Sequence, residues 1–173
     1  MIFSGYVTEG ASDWDDASAT ATTIAIIRTN DLNGDPTFQQ DGYALLNTSA
    51  VTTGGTPIIT SATFYWKHTT ADSTRPMTTS IWNGTDWTII YAGNGGAANA
   101  WISVVVTAST TLGYINGSGG TKTAIKFVNT LVSPSITRTA KIQSYEGATS
   151  GTPYVVLAYT YPAVKKRRPY IIS

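Results

Sequence analysis

Short runs of β-branched and aromatic residues alternate with turn-forming residues along most of the chain. The turns are rich in Gly, Asn, Asp, Ser and Pro, which end strands and favour tight connections. Strands at this spacing are typical of an all-β sandwich or barrel. The predicted strands are TTIAIIRT (22–29), PIITSATFYWK (57–67), MTTSIW (77–82), WTIIYA (87–92), WISVVVTA (101–108), TAIKFVN (123–129), TAKIQSYE (139–146) and PYVVLAYTY (153–161).

Alternation within two of these runs predicts which residues face the core. Ala62, Phe64 and Trp66 share one face of their strand, which we expect to point inward because side chains alternate across a sheet. In WISVVVT (101–107) both faces are apolar, which indicates a strand covered on both sides. A helix is predicted only over 108–116, for one or two turns.

Composition favours one weakly charged domain with a basic extension. The chain has 173 residues, of which 42% are hydrophobic and 12% charged, and it has no cysteine, so disulfides and thiolate metal sites are excluded. No apolar run is long enough to span a membrane, and the N-terminus lacks the features of a secretory signal. We predict a β-sandwich over 1–162 and a basic C-terminal arm over 163–173.

The arm carries the densest charge of the chain. Lys165, Lys166, Arg167 and Arg168 are four of the 11 basic residues, and Tyr170 follows them. The arm could dock on a protein partner and add PYIIS as an edge strand, stay solvated as a tail, or bind nucleic acid, which we consider the weakest of the three.

Three polar features could carry chemistry. Glu146 could be a catalytic acid, but no second carboxylate lies near it in the sequence, so a residue at a strand end is the favoured interpretation. His68 lies in a Thr-rich segment, where we expect a solvated side chain rather than a catalytic base. NDLNGDP (30–36) spaces Asp31, Asn33 and Asp35 like calcium ligands, and it equally fits a turn.

Aromatic residues offer a candidate binding platform. Trp82, Trp87 and Tyr91, together with Trp101, could stack on a sugar or pack at a protein interface. The competing interpretation is that Trp82 and Trp87 clasp the hairpin WNGTDW as a cross-strand pair. Glycosylation sequons begin at residues 47, 83 and 116, and in an Asn/Thr/Gly-rich chain chance explains them.

Five segments carry a likeness to a known family: PIITSATFYW (57–66), WISVVVTASTTLGYING (101–117), TAIKFVN (123–129), IQSYE (142–146) and TPYVVLAY (152–159). Their order and spacing resemble the DNRLRE-type domain over roughly residues 40–160. The resemblance implies a jelly-roll β-sandwich similar to carbohydrate-binding modules, usually non-catalytic and found in secreted and cell-surface proteins. It also implies that Ser144 and Glu146 end the penultimate strand, that GATSGTP is the turn after it, and that Glu146 marks the pairing with the closing strand. The matching residues are Ile59, Ser61, Ala62, Trp101, Val106, Thr107, Asn116, Gly117, Ser144, Glu146, Pro153, Tyr154 and Tyr159, and the family's aspartate, phenylalanine and arginine are replaced by Val105, Ile142 and Thr152.

Two functions follow as expectations. The first is a non-catalytic structural protein of a virus particle, such as a bacteriophage capsid decoration, tail or fibre component, which contacts other virion proteins and copies of itself. A nearly uncharged Thr/Ala/Gly-rich surface, the absence of a signal and of cysteine, and the basic arm motivate it. The alternative is a glycan-binding module of an extracellular or cell-surface protein, using Trp82, Trp87 and Tyr91. We expect no enzymatic activity, cofactor, metal or membrane partner.

Overall fold

The computed structural model describes residues 3–8, 23–47, 58–70, 74–117, 122–143 and 153–161. These residues form ten strands and one helix. The elements are β1 (Phe3–Thr8), β2 (Thr23–Asn30), β3 (Pro36–Asn47), β4 (Ile58–Lys67), β5 (Pro76–Trp82), β6 (Trp87–Asn94), β7 (Trp101–Val106), α1 (Ser109–Gly117), β8 (Lys122–Asn129), β9 (Thr137–Gln143) and β10 (Tyr154–Thr160).

The strands form two antiparallel sheets. The large sheet has the order β6-β5-β8-β3-β2-β9, with β1 also paired to β3, and the small sheet has the order β10-β4-β7. The chain repeatedly passes from one sheet to the other, so that neighbours in a sheet are often distant in sequence. The predicted all-β, jelly-roll-like antiparallel sandwich is therefore confirmed for the described residues.

Strand β4 provides the centre of the core. Ala62, Phe64 and Trp66 are fully buried, as their alternation predicts. The Trp66 ring meets Phe127 of the large sheet with 5.7 Å between centroids, so it joins the two sheets. Truncating an aromatic residue at such a site costs about 3–5 kcal/mol of stability, which makes this row a main contributor to folding.

His68 lies at the corner where β4 reaches the large sheet. It forms an isolated bridge with Ile142, and the next residue, Thr69, donates its backbone N–H to the Lys141 carbonyl at 2.9 Å. The predicted solvated histidine is wrong, because the strand direction continues past Lys67 and turns the His68 side chain into the core, where it is fully buried.

The helix carries the chain from β7 to β8. Leu112 and Ile115, three residues apart and thus on one face, are both buried against the sandwich. Gly113 falls on the exposed side, where no atom would meet an added side chain. The helical tendency predicted over 108–116 is confirmed.

The connection between β9 and β10 differs from the sequence-based prediction. Strand β9 pairs with β2, whereas β10 pairs with β4, so GATSGTP does not join a pair of neighbouring strands. The described parts of β9 and β10 therefore lie in different sheets and do not pair with each other, whereas the predicted role of Glu146 stays a prediction. Residues 144–152, including Ser144 and Glu146, lie outside the described residues.

Candidate functional site

The hairpin between β5 and β6 presents two tryptophans on the outer face of the large sheet. Trp82 and Trp87 are directly opposite each other, and their ring centroids lie 5.3 Å apart. Gly84 takes the positive φ of the turn, at 99°, and the Asn83 side chain accepts the Asp86 backbone N–H at 2.7 Å. The predicted cross-strand tryptophan pair is confirmed.

Three further side chains extend this pair into a cluster. The Tyr43 ring lies 5.6 Å from Trp87, and the Lys126 ammonium lies 5.8 Å from the Trp87 ring centre. Lys126 also forms an ion pair of 3.0 Å with Asp41. Burial and, secondly, the Asp41 charge raise the pKa of Tyr43 to about 12. We call Asp41, Tyr43, Trp82, Trp87 and Lys126 the large-face cluster.

A chain of hydrogen bonds fixes the charged end of the large-face cluster. Gln39 donates from Nε2 to Asp41 Oδ1 at 2.7 Å, while Lys126 is paired with Asp41 Oδ2. Arg28 in turn donates from Nη1 to Gln39 Oε1 at 3.2 Å. Both carboxylate oxygens are therefore engaged. Fixed polar groups beside aromatic faces can orient the hydroxyls of a small polar ligand.

The structure places Tyr91 apart from the two tryptophans. Its ring packs edge-on against the core residue Trp66, at 5.4 Å, and its hydroxyl donates to the Asn94 carbonyl at 2.5 Å. Tyr91 therefore belongs to the inner side of the sheet. Sequence reasoning missed Tyr43 and Lys126, which approach the hairpin only because β3 and β8 pair beside β5.

The small sheet carries a second group of aromatic residues on its outer face. Tyr65 and Tyr154 stack at 4.6 Å with an interplanar angle of 11°, and Trp101 meets Tyr154 edge-on at 5.3 Å. The register places Val105 and Val156 on either side of Thr63 in the next row. We call Tyr65, Trp101, Val105, Tyr154 and Val156 the small-face patch.

Most of the small-face patch is open to solvent. The exposed fraction is 45% for Trp101, 65% for Val105, 38% for Tyr154 and 54% for Val156. The prediction that β7 is covered on both faces is wrong for the described residues: the core covers the side of Val106, and no described element lies over the other side. We therefore treat the small-face patch as a candidate interaction surface.

The segment proposed for calcium forms a turn. Asp31 Oδ1 accepts the backbone N–H groups of Asn33 at 2.7 Å and Asp35 at 3.0 Å, and Gly34 takes a φ of 89°. The Asp31 carboxylate thus takes the place of a backbone carbonyl as the acceptor for these two N–H groups, as Asp side chains often do in turns. Among the described residues, no group of three or more His, Asp or Glu side chains could hold a metal ion.

Several predicted positions lie outside the described residues. These include the whole basic arm, with Lys165, Lys166, Arg167, Arg168 and Tyr170. Within the described part of the chain, no helix combines the length and apolar character that crossing a bilayer requires.

No protein-family model matches the sequence, and no curated protein matches it significantly. The likeness to the DNRLRE-type domain therefore stays a prediction, and functional reasoning depends on the two outer faces.

Proposed function

We propose that the protein is a non-catalytic structural and interaction protein of a virus particle, a capsid decoration, tail or fibre component. The observation that carries the proposal is the small-face patch. Its aromatic and aliphatic side chains lie in adjacent rows across all three strands of the small sheet. Burial of apolar area contributes about 25 cal/mol per Å², so covering this face drives association.

The composition of the small sheet suits protein contact. Thr63 and Ser103 are the polar residues among the rings and valines, and Lys67 lies at the Trp101 end of the face. Interface cores are depleted of charge and enriched in Tyr and Trp in this way. Assembly by burial of the small-face patch, with the basic arm as a second contact, needs no catalytic group.

A single substitution tests burial of the small-face patch. Val105→Lys places a charge in the patch, and the variant is expected to associate with particles at least about tenfold less, because a desolvated unpaired charge is costly. Val132→Lys is the matched control, since Val132 is also exposed but lies in the segment between β8 and β9. The measurement is the amount of each variant that sediments together with virus particles produced in culture.

Equal association of the two lysine variants would exclude the small-face patch as the docking surface. The neighbouring genes provide an independent test of the setting. Portal, capsid or tail genes beside this one support a virion protein, and their absence argues against it.

The large-face cluster favours a second candidate function, glycan binding. Aromatic rings stack on the apolar faces of sugars, and the Lys126–Asp41 pair beside Trp87 offers a donor and an acceptor for hydroxyls. A carbohydrate surface on an all-β sandwich also agrees with the resemblance described above. The ligand class is a neutral oligosaccharide, because the cluster's lysine is already paired with a carboxylate.

Glycan binding is tested on an array of neutral and acidic oligosaccharides. Trp82→Ala is expected to lower the signal of any bound glycan at least about tenfold, because it removes one of the two rings on which a sugar would stack. Stacking on an aromatic side chain contributes about 1–3 kcal/mol for a nucleobase, and we expect the same order for a sugar. Trp101→Ala, on the other sheet, is the control and keeps the signal. No binding by the unmodified protein would eliminate this candidate.

A further inference from the structure

We propose that β10 pairs antiparallel with β10 of a second copy, about a two-fold axis at Val156, so that two small sheets join into one six-stranded sheet. The inference rests on the proposed function, in which the small sheet is an interaction surface, and it names the first partner as another copy of the same chain.

Within the described part of the chain, β10 is an edge strand without the usual protection. The small sheet ends with β10, and the described residues place β4 alone beside it. Its seven residues, YVVLAYT, include no charge and no proline. Edge strands of soluble proteins are normally guarded by charges, prolines or bulges against pairing with other chains.

The other edges of the sandwich differ from β10. Strand β9, an edge of the large sheet, carries Arg138 and Lys141. Pairing β9 with its own copy would gather the basic side chains of both copies at one junction, which is unfavourable. The edges of β6 and β7 approach each other within the molecule, and β1, an edge strand that is also uncharged, lies against β2. β10 is therefore the described edge best suited to pairing with itself.

The backbone groups of β10 also point in directions that suit pairing with another strand. The Thr60 hydroxyl donates to the Ala158 carbonyl at 3.1 Å, so that carbonyl points toward β4. Backbone direction alternates along a strand, and the N–H and C=O groups of Val155 and Leu157 therefore point to the open edge. The register shift with β4 lies between Ala158 and Tyr159, where Thr60 of β4 is the extra residue, so the segment 154–158 pairs regularly with β4.

These directions fit a two-fold pairing. With Val156 opposite Val156 of the second copy, Val155 lies opposite Leu157 of the second copy, and the reverse pair is equivalent. Each of these two pairs exchanges hydrogen bonds, whereas the two Val156 residues form the close, non-hydrogen-bonded pair. Identical uncharged edges satisfy one another, as a self-complementary dimer interface requires.

Packing on both faces agrees with this arrangement. Val155 and Leu157 point inward and pack partly buried against the core, so pairing extends the core across the junction. On the outer face, Tyr154 comes beside Ala158 of the second copy. The two small-face patches then form one continuous apolar surface on the dimer.

Cysteine cross-linking tests the register. The chain contains no cysteine, so Val156→Cys introduces a single thiol. Cα atoms of a non-hydrogen-bonded antiparallel pair lie about 4.5 Å apart, within the range that a disulfide spans. Under mild oxidation, Val156→Cys is expected to form a covalent dimer at least about ten times faster than Val105→Cys, an exposed control on β7. Equal rates in the two variants would overturn the proposed pairing.

Sedimentation of the purified protein separates this inference from the proposed function. The unmodified chain is expected to dimerise, Val156→Lys to dissociate at least about tenfold more readily because two lysines would meet at the axis, and Val105→Lys to remain dimeric. If the unmodified chain is monomeric and Val105→Lys still loses association with particles, the dimer is overturned and the proposed function remains. If the unmodified chain is dimeric and Val105→Lys associates with particles as well as the unmodified chain does, only the proposed function is overturned.

Discussion

The outer faces of the two sheets both present aromatic residues, yet the neighbours of these residues differ. In the large-face cluster the rings lie half-buried beside an ion pair whose carboxylate also accepts a hydrogen bond from Gln39. In the small-face patch the rings stack on one another beside exposed valines. The two faces therefore differ less in their aromatic rings than in the side chains that surround those rings.

The two environments differ in what they offer a partner. A ring held beside fixed donors and acceptors suits a small hydroxylated ligand, because orientation is set before binding. Rings beside aliphatic side chains offer apolar surface area but no directional hydrogen bonds, which suits burial against another protein. We therefore propose ligand contact for the large-face cluster and assembly for the small-face patch.

The largest expected difference between the faces is in stability. Trp87→Ala removes contacts with Trp82, Tyr43 and Lys126 at once, and it is expected to cost about 2–3 kcal/mol, somewhat less than a fully buried tryptophan. Trp101→Ala, where the ring is 45% exposed, is expected to cost about 1 kcal/mol or less. Urea denaturation monitored by circular dichroism gives both values. If the two costs are equal, or their order is reversed, the comparison between the faces fails.

Local patterns predicted the parts of this molecule that depend on local geometry. The inward face of β4 follows from strict alternation, and the Trp82–Trp87 pair follows from a short hairpin. Strand β3 was largely missed because the residues 39–42, QQDG, interrupt its apolar pattern. Strand β1 was missed because FSGYVT has no distinct apolar run.

The rest depends on which strands become neighbours. Tyr43 and Lys126 reach the hairpin from strands far along the chain, so no spacing near Trp87 indicates them. The apolar outer face of β7 predicts burial, and whether anything covers it depends on the other sheet and on partners. His68 stands in a sequence typical of a loop, and only its bridge to β9 explains its burial.

The charged end of the large-face cluster gives the next largest expected effect. Asp41→Ala leaves Lys126 and Gln39 without their shared acceptor, and we expect a loss of about 1–2 kcal/mol, because unmet partners at a half-buried site are costly. Thr63→Val, in the middle of the small sheet, is expected to change stability by no more than about 0.5 kcal/mol. Asp41→Asn, which keeps an acceptor for Gln39, is expected to be intermediate in thermal unfolding. An Asp41→Ala variant as stable as Thr63→Val would show that the ion pair contributes nothing.

Binding of a hydrophobic dye should separate the faces with little change in stability. Replacing both Val105 and Val156 by Thr is expected to reduce the fluorescence of the dye ANS about twofold or more, since ANS reports exposed apolar surface. The free energy of unfolding should change by less than about 0.5 kcal/mol per site. Ile89→Thr is the control, because Ile89 is an exposed aliphatic residue at the edge of the large sheet. A larger loss of fluorescence in Ile89→Thr would place the main exposed apolar surface on the large sheet, which would contradict the comparison.

The smallest expected effect is the pH dependence that Tyr43 contributes. Burial raises the pKa of Tyr43 from 10.0 to about 12, so the folded state holds its phenol proton more tightly than the unfolded chain does. This contribution to stability is fully present below pH 10 and is lost as the pH rises toward 12. Tyr43→Phe removes the proton, so the decline in urea midpoint across this range should be shallower than in the unmodified protein. Trp82→Phe disturbs the same cluster without removing a titrating group, and it should keep the original slope. An unchanged slope in Tyr43→Phe would mean that the Tyr43 hydroxyl is hydrated, and that the large-face cluster is as open to water as the small-face patch.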